Sequence, residues 1–294
     1  MRVAILGDTG QLARCLAENA PRGASHVRFG RDQLDLADPG APLAAALGDG
    51  FDLIINAAAY TAVDKAEEER EAAFALNARG PARLAEFCAT RGLPLIHVST
   101  DYVFDGTASR PYREDDLPAP LNTYGESKLA GERAVAGPLS QHVILRTSWL
   151  YSIYGKNFVT TMLRLGRERD ELRIVADQIG RPTSAHQLAR VIWNIAEAFR
   201  QQPNAFAWGI YHYADSGEAS WADFADEIFS ASSDLLSEPP RVWRITTEAF
   251  PTPAPRPRYS VLDTDRIERV FQIAPRPWKH SLGEVLRKLE ETVA

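Results

Sequence analysis

Residues 3–13 read Val3-Ala-Ile-Leu-Gly-Asp-Thr-Gly-Gln-Leu-Ala13, and this stretch gives the strongest indication of the fold class. Its apolar run predicts a strand, and Gly7 and Gly10 predict a tight turn into a helix that begins at Gln11. Such a glycine loop lets the backbone approach a pyrophosphate, which the free amides and the positive dipole end of the helix attract. The spacing Gly-x-x-Gly-x-x-Ala departs from the usual Gly-x-Gly-x-x-Gly, so a plain strand-to-helix turn is the alternative.

Short β-branched runs and helical stretches alternate through the first half of the chain, as in a parallel sheet with helices on both faces. Further strands are predicted at His26–Phe29, Asp52–Asn56, Pro94–Ser99 and Val143–Thr147. Helices are predicted at Gln11–Asn19, Glu67–Leu76, Pro81–Arg91 and Tyr124–Ala136. We therefore predict an α/β fold in which residues 1–150 form a doubly wound parallel sheet.

The pattern changes after residue 150. Helices are predicted at Phe158–Arg169, Ser184–Arg200, Trp221–Phe229 and Trp278–Thr292, and short strands at Glu171–Ala176 and Tyr211–Ala214. The four prolines of the stretch Pro251–Pro257 lack amide donors, so the stretch predicts an extended surface segment or a rim around a site. We predict a smaller C-terminal lobe from residues 151–182 and 203–294, with residues 183–202 packing on the first domain.

Composition narrows the class of protein. The 294 residues are 45% hydrophobic and 24% charged, with a net charge of −6, so the chain lacks the basic footprint of a nucleic-acid-binding protein. Cys15 and Cys88 form neither a disulfide framework nor a metal cluster. No apolar run is long enough for a membrane span or, at the N-terminus, for a signal peptide. We expect a soluble cytoplasmic enzyme.

A second motif, Tyr124-Gly-Glu-Ser-Lys128, lies on a predicted helix. Because residues four apart share one helix face, the phenol and the ammonium can point into one cleft. A neighbouring cation stabilises the phenolate, so we expect Lys128 to lower the pKa of Tyr124 and make it a usable general acid. Thr100 ends a predicted strand, where parallel sheets bind ligands, and can hydrogen-bond the same substrate oxygen. The alternatives are a surface Tyr–Lys pair and a threonine that caps a turn.

Two further strand ends bear on the cofactor. The second strand ends in Gly30 and Arg31, where enzymes that use NAD place a carboxylate for the ribose hydroxyl. An arginine suits a 2′-phosphate, so NADPH is the favoured cofactor and NADH the alternative; the non-functional interpretation is a solvated surface arginine. At the third strand end, Asn56-Ala-Ala-Ala-Tyr60 supplies small residues, which suit either a passing flat cofactor or close helix–sheet packing.

In this order, the motifs resemble the extended short-chain dehydrogenase/reductase superfamily. Longer strings are similar to the dTDP-4-dehydrorhamnose reductase family: residues 10–12, 56–67, 99–106, 120–132, 146–149, 177–183, 251–254 and 256–257. The resemblance implies a Rossmann-type fold with a smaller C-terminal α/β substrate-binding lobe. It also implies NADPH-dependent reduction of the C4 ketone of dTDP-4-dehydro-β-L-rhamnose to dTDP-L-rhamnose, the last step of dTDP-L-rhamnose synthesis.

The resemblance implies roles for single residues as well. Tyr124 would donate the proton, Lys128 would assist it and hold the nicotinamide ribose, and Thr100 would polarise the keto oxygen. Further cofactor contacts would come from Gly7, Gly10, Gln11, Leu12, Arg31, Asp35, Leu36, Ala58, Ala59, Tyr60, Thr61 and Val98. Further substrate contacts would come from Asp101, Trp149, Val63, Lys65 and Arg181. Asn77 would stand where the superfamily often has a relay asparagine.

The sequence also departs from its family. Some members dimerise around magnesium held by glutamates, whereas Cys15 and His186 stand at the matching places here. We therefore expect no metal site, and a monomer or a metal-free homodimer. One alternative function is a non-catalytic NADP-binding regulatory subunit similar to the β subunit of methionine adenosyltransferase. Another is a sugar-nucleotide dehydratase or epimerase, although a dehydratase needs an Asp-Glu pair where this chain has Asp101 and Tyr102.

Overall fold

The structure is a computed structural model that describes residues 1–232, 235–236 and 238–293. The strands of this part of the chain are β1 Arg2–Leu6, β2 Ser25–Phe29, β3 Leu53–Asn56, β4 Leu95–Thr100, β5 His142–Thr147, β6 Leu150–Tyr151, β7 Glu171–Val175, β8 Ile179–Gly180, β9 Thr183–Ser184, β10 Gly209–His212, β11 Ala219–Ser220 and β12 Arg241–Ile245. The helices are α1 Gln11–Glu18, α2 Leu43–Leu47, α3 Val63–Ala66, α4 Arg70–Phe74, α5 Gly80–Arg91, α6 Thr123–Ala136, α7 Phe158–Glu168, α8 Ala185–Gln201, α9 Trp221–Ser230, α10 Asp265–Phe271 and α11 Trp278–Val293. A π-helical turn, Ala75–Arg79, joins α4 to α5.

Six strands form the central sheet in the order β10-β5-β4-β3-β1-β2, and every pair is parallel. Along β1, Val3 and Ile5 pack with α1 and α8 on one face, while Ala4 and Leu6 pack with α5 and α6 on the other. The predicted α/β doubly wound sheet is confirmed. Its strand order reverses between β1 and β3, and this switch point is where such sheets open a crevice for ligands.

The smaller lobe packs α7, α9 and α11 around the parallel pair of β7 and β12, with a core that includes Phe224, Ile228 and Leu282. The predicted helices of this half are present within a residue or so at each end. The sequence reading missed β12 and α10. The first is an edge strand with three exposed positions out of five, and the second is a short helix with four charged residues, so neither shows a clear apolar period.

One predicted boundary is corrected by the sheet. The sequence predicts that residues 203–294 belong to the smaller lobe. Within that range, however, β10 pairs with β5 and completes the central sheet. Helix α10 covers it, with Ile267 in the same core as Tyr211. The predicted strand in this region was therefore correct, but its sheet was not identifiable, because strand pairing depends on contacts distant in sequence. Helix α8 packs on α1, where the Trp193 indole donates to the Leu16 carbonyl over 2.8 Å.

The extended segment Pro251–Pro257 borders both lobes, as its prolines predicted. The Asn122 amide donates to the Pro255 carbonyl over 2.8 Å, and Arg256 pairs with Asp64 at 2.8 Å. The rim thus links the start of α6 and the start of α3 to the smaller lobe. In the part of the chain that the structure describes, no helix combines the length and the apolar character needed to span a membrane.

Candidate active site

A cleft of about 800 Å³ opens at the carboxyl ends of β1, β3, β4 and β5. Most of the residues selected from the sequence line it: Gly7, Gly10, Gln11, Leu12, Arg31, Asp35, Leu36, Ala58, Ala59, Thr61, Val98, Thr100, Asp101, Tyr124, Lys128 and Trp149. The described lining does not include the other four, Tyr60, Val63, Lys65 and Arg181. Sixteen selected residues from distant parts of the sequence therefore meet in one cavity.

The four outlying residues have other contacts or face solvent. The Tyr60 hydroxyl donates to Glu69 over 2.6 Å, and the Arg181 guanidinium donates to the Leu262 carbonyl over 2.9 Å. Lys65 is exposed on the short helix α3, and Val63 begins that helix. For these four residues, a direct cofactor or substrate contact therefore stays a prediction from the resemblance.

The glycine loop has the shape that a pyrophosphate needs. Gly7 has a φ of +111°, a conformation that suits glycine, and a Cβ there would stand 3.4 Å from the Ala58 amide nitrogen. Gly10 caps α1 without a side-chain hydrogen bond, so the first-turn amides remain available to a ligand. Asp8, whose negative charge would repel a phosphate, pairs with Arg28 at 3.0 Å.

Arg31, the residue predicted to bind the 2′-phosphate of NADPH, lies at the far end of the cleft. Arg31 is 74% exposed at the side chain, with its Nε 3.6 Å from the Asp35 carboxylate. Leu36 is buried beside them and offers an apolar contact. Because the guanidinium is solvated and loosely held, it can turn toward an added phosphate at small cost. These contacts fit a dinucleotide with a 2′-phosphate.

Helix α6 brings Tyr124 to the cleft through a cap and a close approach. The Asn122 side chain accepts a hydrogen bond from the Gly125 amide over 2.8 Å, which starts the helix one residue before the predicted position. A Cβ on Gly125 would lie 2.2 Å from the Tyr102 carbonyl oxygen, so only glycine lets the helix pack this closely. The rings of Tyr102 and Tyr124 meet edge to face, 5.9 Å apart. This packing fixes where the phenol stands.

The pKa of Tyr124 is shifted opposite to the expectation. Burial raises the pKa of Tyr124 to about 12, the nearby Asp101 adds to the rise, and a hydrogen bond with Thr100 opposes it. Lys128 is not among the groups that shift this pKa, and its Nζ donates to the Val98 carbonyl over 2.7 Å. Burial also lowers the pKa of Lys128 to about 8, against the opposing effect of Glu132. Tyr124 is therefore protonated at neutral pH, which is the form a proton donor needs.

Two buried groups behind the cleft were missed by sequence reasoning. Arg146 and Glu132, 2% and 3% exposed, form a two-point ion pair with distances of 2.9 and 2.7 Å. The Ser99 hydroxyl donates to Glu132 over 2.5 Å, and His212 of β10 lies 3.3 Å from Arg146. The signal was present in the spacing, since Glu132 lies four residues after Lys128 on α6.

Asn77 lies in the π-helical turn and clamps the loop that follows β3. Its side-chain oxygen accepts from the Tyr60 amide over 2.8 Å, and its amide hydrogens go to the Tyr60 carbonyl and the Ser127 hydroxyl. Ser127 in turn donates to the Tyr124 carbonyl over 2.7 Å. Both amide hydrogens of Asn77 are thus used in positioning, and the relay role that the resemblance implied stays a prediction.

Trp149 forms the wall between this cleft and a second cavity. It has a φ of +44°, which a bulky residue rarely adopts, and its ring stacks on Trp221 with centroids 3.5 Å apart. The second cavity has a volume of about 1080 Å³, and its lining includes Trp221, Trp243, Phe250 and Arg256. The stack of Trp149 on Trp221 was not predictable, because the two residues are far apart in sequence.

The residues at the matching magnesium positions do not suit that ion. Magnesium prefers oxygen ligands. Burial raises the pKa of the Cys15 thiol to about 12 and lowers the pKa of His186 to about 4, and the Lys288 ammonium acts on both. Among the described residues there is also no group of three or more metal-ligating side chains. We therefore derive no step through a metal.

The fold and the cleft together define a Rossmann-type, dinucleotide-binding oxidoreductase of the short-chain dehydrogenase/reductase class. A family model described as the RmlD substrate binding domain matches residues 1–291. The chain is 45% identical over 281 residues to a dTDP-4-dehydrorhamnose reductase of Sinorhizobium fredii, covering 96% of this chain and 95% of the relative. This chain therefore belongs to the dTDP-4-dehydrorhamnose reductase family.

Solved structures agree with this assignment. A dTDP-4-dehydrorhamnose reductase of Clostridium acetobutylicum superposes with a TM-score of 0.90 at 37% identity, covering 99% of this chain and 100% of that one. Another from Bacillus anthracis, crystallised in complex with NADP, gives a TM-score of 0.88 at 36% identity and covers 98% and 99% of the two chains. The similarity thus extends over both lobes.

Proposed function

We propose that this protein uses NADPH to reduce the C4 ketone of dTDP-4-dehydro-β-L-rhamnose, which yields dTDP-L-rhamnose. The observation that carries the proposal is the meeting of Thr100, Tyr124 and Lys128 in the cleft that begins at the glycine loop. Family membership supplies the substrate and the cofactor, since relatives of this length and identity carry the reductase name. NADH is the alternative hydride donor.

The residues of the cleft fit the cofactor. The uncapped start of α1 and the open space beside Gly10 suit the pyrophosphate, and Arg31 suits the 2′-phosphate. The Thr147 hydroxyl oxygen, buried in the cleft wall, has no hydrogen-bond partner among the described residues and suits a polar ligand group. When bound, the reduced nicotinamide supplies the hydride that adds to the carbonyl carbon.

Side chains in the cleft then stabilise the negative charge that develops on the carbonyl oxygen. Thr100 and Tyr124 donate hydrogen bonds to that oxygen, and Tyr124 transfers its proton as the alkoxide forms. An alkoxide is more basic than a phenolate, so a phenol with a pKa of about 12 is still an effective acid here. Lys128, held by the Val98 carbonyl, presents a positive charge near the phenolate that remains.

The second cavity suits the nucleotide end of the substrate. It lies beyond the stacked rings of Trp149 and Trp221, and Trp243 and Phe250 add exposed aromatic faces on which a base can stack. Arg256 and other arginines in the lining suit a diphosphate. The sugar would then lie against Trp149 and Asp101, with its ketone toward Tyr124.

A direct spectrophotometric assay tests the function. NADPH oxidation is followed with a panel of dTDP-, UDP- and GDP-linked 4-keto-6-deoxy sugars, and the product is identified by mass and by NMR. We expect consumption of NADPH with the dTDP-linked sugar and a product with the rhamnose configuration. Cofactor that binds but is never consumed would favour a regulatory subunit. Loss of water from dTDP-glucose in a parallel assay, without net consumption of NADPH, would favour a dehydratase.

Three finer assignments accompany the proposal. We expect NADPH to be preferred over NADH because Arg31 lies at the cleft where a carboxylate would select NAD. We expect a monomer or a metal-free homodimer, which size-exclusion chromatography with and without a chelator distinguishes from a metal-bridged dimer. We expect the protein to act in the cytoplasm, without nucleic acid or membrane as a partner.

A further inference from the structure

Asp101 places a carboxyl in the wall of the cleft, one residue beyond Thr100. Its side chain is 2% exposed, and its Oδ1 accepts a hydrogen bond of 3.0 Å from the Thr100 hydroxyl. Its Oδ2 is buried and accepts no hydrogen bond of ordinary geometry from the described residues, although the Ser260 hydroxyl is near enough to favour the charged form. A carboxylate is costly to bury when one of its oxygens is unpaired. These surroundings therefore favour the neutral carboxylic acid.

The neighbours of Asp101 do not provide a counter-ion. The Ser260 hydroxyl, the Thr100 hydroxyl and nearby backbone amides favour the charged form, but burial outweighs them. From α6, Tyr124 approaches as a neutral phenol, and the Lys128 ammonium is bound to the Val98 carbonyl. Arg256, already paired with Asp64, reaches Tyr102 rather than the carboxyl.

A hydrogen-bond count shows what an ionised Asp101 does to its neighbours. A hydroxyl has one hydrogen and two lone pairs. The Thr100 hydrogen goes to Asp101, while its oxygen accepts from the Tyr102 amide over 3.2 Å. The Tyr124 hydroxyl lies close enough for Thr100 to affect its pKa. With Asp101 ionised, the threonine hydrogen points away from a substrate carbonyl, and the remaining lone pair of Thr100 is open to the tyrosine hydrogen.

The neutral acid reverses this arrangement. We infer that Asp101 is a positioning residue whose neutral carboxyl donates to the Thr100 oxygen and thereby frees the Thr100 and Tyr124 hydrogens for the substrate carbonyl. The two lone pairs of Thr100 are then filled by Tyr102 and Asp101, so Tyr124 has no acceptor but the substrate. This inference rests on the proposed reductase function and adds a proton switch to the same site.

The inference predicts that kcat falls as the pH rises. Burial raises the pKa of Asp101 to about 7. Below that pH the carboxyl is neutral and both donors are free; as pH rises through it, the carboxylate recaptures the Thr100 hydrogen and kcat falls. The Lys128 ammonium titrates higher, with a pKa lowered to about 8, so its contribution is concentrated at the alkaline end.

The experiment is a kcat–pH profile for the full-length protein with NADPH and the dTDP-linked 4-keto-6-deoxy sugar. For the wild type we expect kcat to fall about twentyfold between pH 6 and pH 8, because the neutral fraction of Asp101 declines about tenfold and the ammonium fraction of Lys128 about twofold. Asp101→Asn keeps a permanent donor to Thr100, so its kcat should vary only about twofold over the same range. Asp115→Asn, the same change on an exposed carboxyl outside the cleft, should keep the wild-type profile.

A second background tests whether Asp101 acts through Thr100. In Thr100→Val no hydroxyl remains to be turned, so adding Asp101→Asn should leave the profile unchanged. An Asp101→Asn profile that still falls about twentyfold, or a wild-type profile that is flat, would overturn the inference while leaving the reductase function intact. Absence of NADPH oxidation by the wild type at every pH would instead refute the proposed function. NADPH binding by fluorescence and near-ultraviolet circular dichroism report whether each variant is folded.

Discussion

Replacing Glu132 by Gln should destabilise the protein strongly, because it leaves the Arg146 guanidinium buried without a counter-ion. Both side chains are almost fully buried, and Glu132 accepts three hydrogen bonds, two from Arg146 and one from Ser99. Breaking a buried ion pair from one side costs about 3–5 kcal/mol of unfolding free energy. Urea unfolding followed by circular dichroism, with linear extrapolation to water, measures this quantity.

The control is an ion pair of the same kind on the surface. Arg164 and Glu168 on α7 pair at 2.7 Å, with both side chains at least half exposed, so Arg164→Gln should cost less than about 1 kcal/mol. In Glu132→Leu/Arg146→Met no charge stays unpaired, so this variant should be more stable than Glu132→Gln. A Glu132→Gln cost no larger than that of the surface control would refute the reasoning that an unpaired, buried Arg146 is costly.

The same substitution has an effect on the site. Glu132 raises the pKa of Lys128, partly opposing the effect of burial. Without this carboxylate the pKa of Lys128 falls further, and the alkaline limb of the kcat–pH profile should move to lower pH. An unchanged limb would show that Lys128 does not govern it.

Three other outcomes are expected. Tyr124→Phe should lower kcat about 10²–10⁴-fold with little change in KM, since it removes only the proton donor. Tyr151→Phe, outside the cleft, should keep the wild-type kcat. Near-wild-type turnover in Tyr124→Phe would show that Tyr124 is not the proton donor. Arg31→Ala should raise the KM for NADPH more than the KM for NADH in steady-state kinetics, and an equal rise would contradict a contact with the 2′-phosphate. Dialysis against EDTA should change neither kcat nor the elution volume in size-exclusion chromatography. A fall in kcat or a shift in elution volume would point to a bound metal.

Much of the fold could be predicted because its signals are local. A parallel sheet buried on both faces shows apolar strands, and a ligand crevice at their carboxyl ends follows from chain direction alone. The sequence therefore predicts that Thr100 and the helix that carries Tyr124 lie near one another. The cap at Asn122 moved the start of that helix by only one residue.

The parts that could not be predicted depend on contacts distant in sequence. The position of Lys128 one helical turn away predicts a lowered pKa for Tyr124, but burial, with a smaller contribution from Asp101, raises it. Spacing along a helix predicts which side chains are neighbours, but not how deeply the sheet buries them.

The course of the chain has a consequence for attempts to divide the molecule. The chain leaves the central sheet after β5, builds part of the smaller lobe, and returns with α8 and β10 before it completes that lobe. A fragment ending near residue 150 would lack the outermost strand, leaving the backbone of β5 open to pairing with another copy. Exchange of substrate lobes between relatives would therefore need at least two crossover points, because a single junction would carry a strand of the cofactor domain along with the lobe.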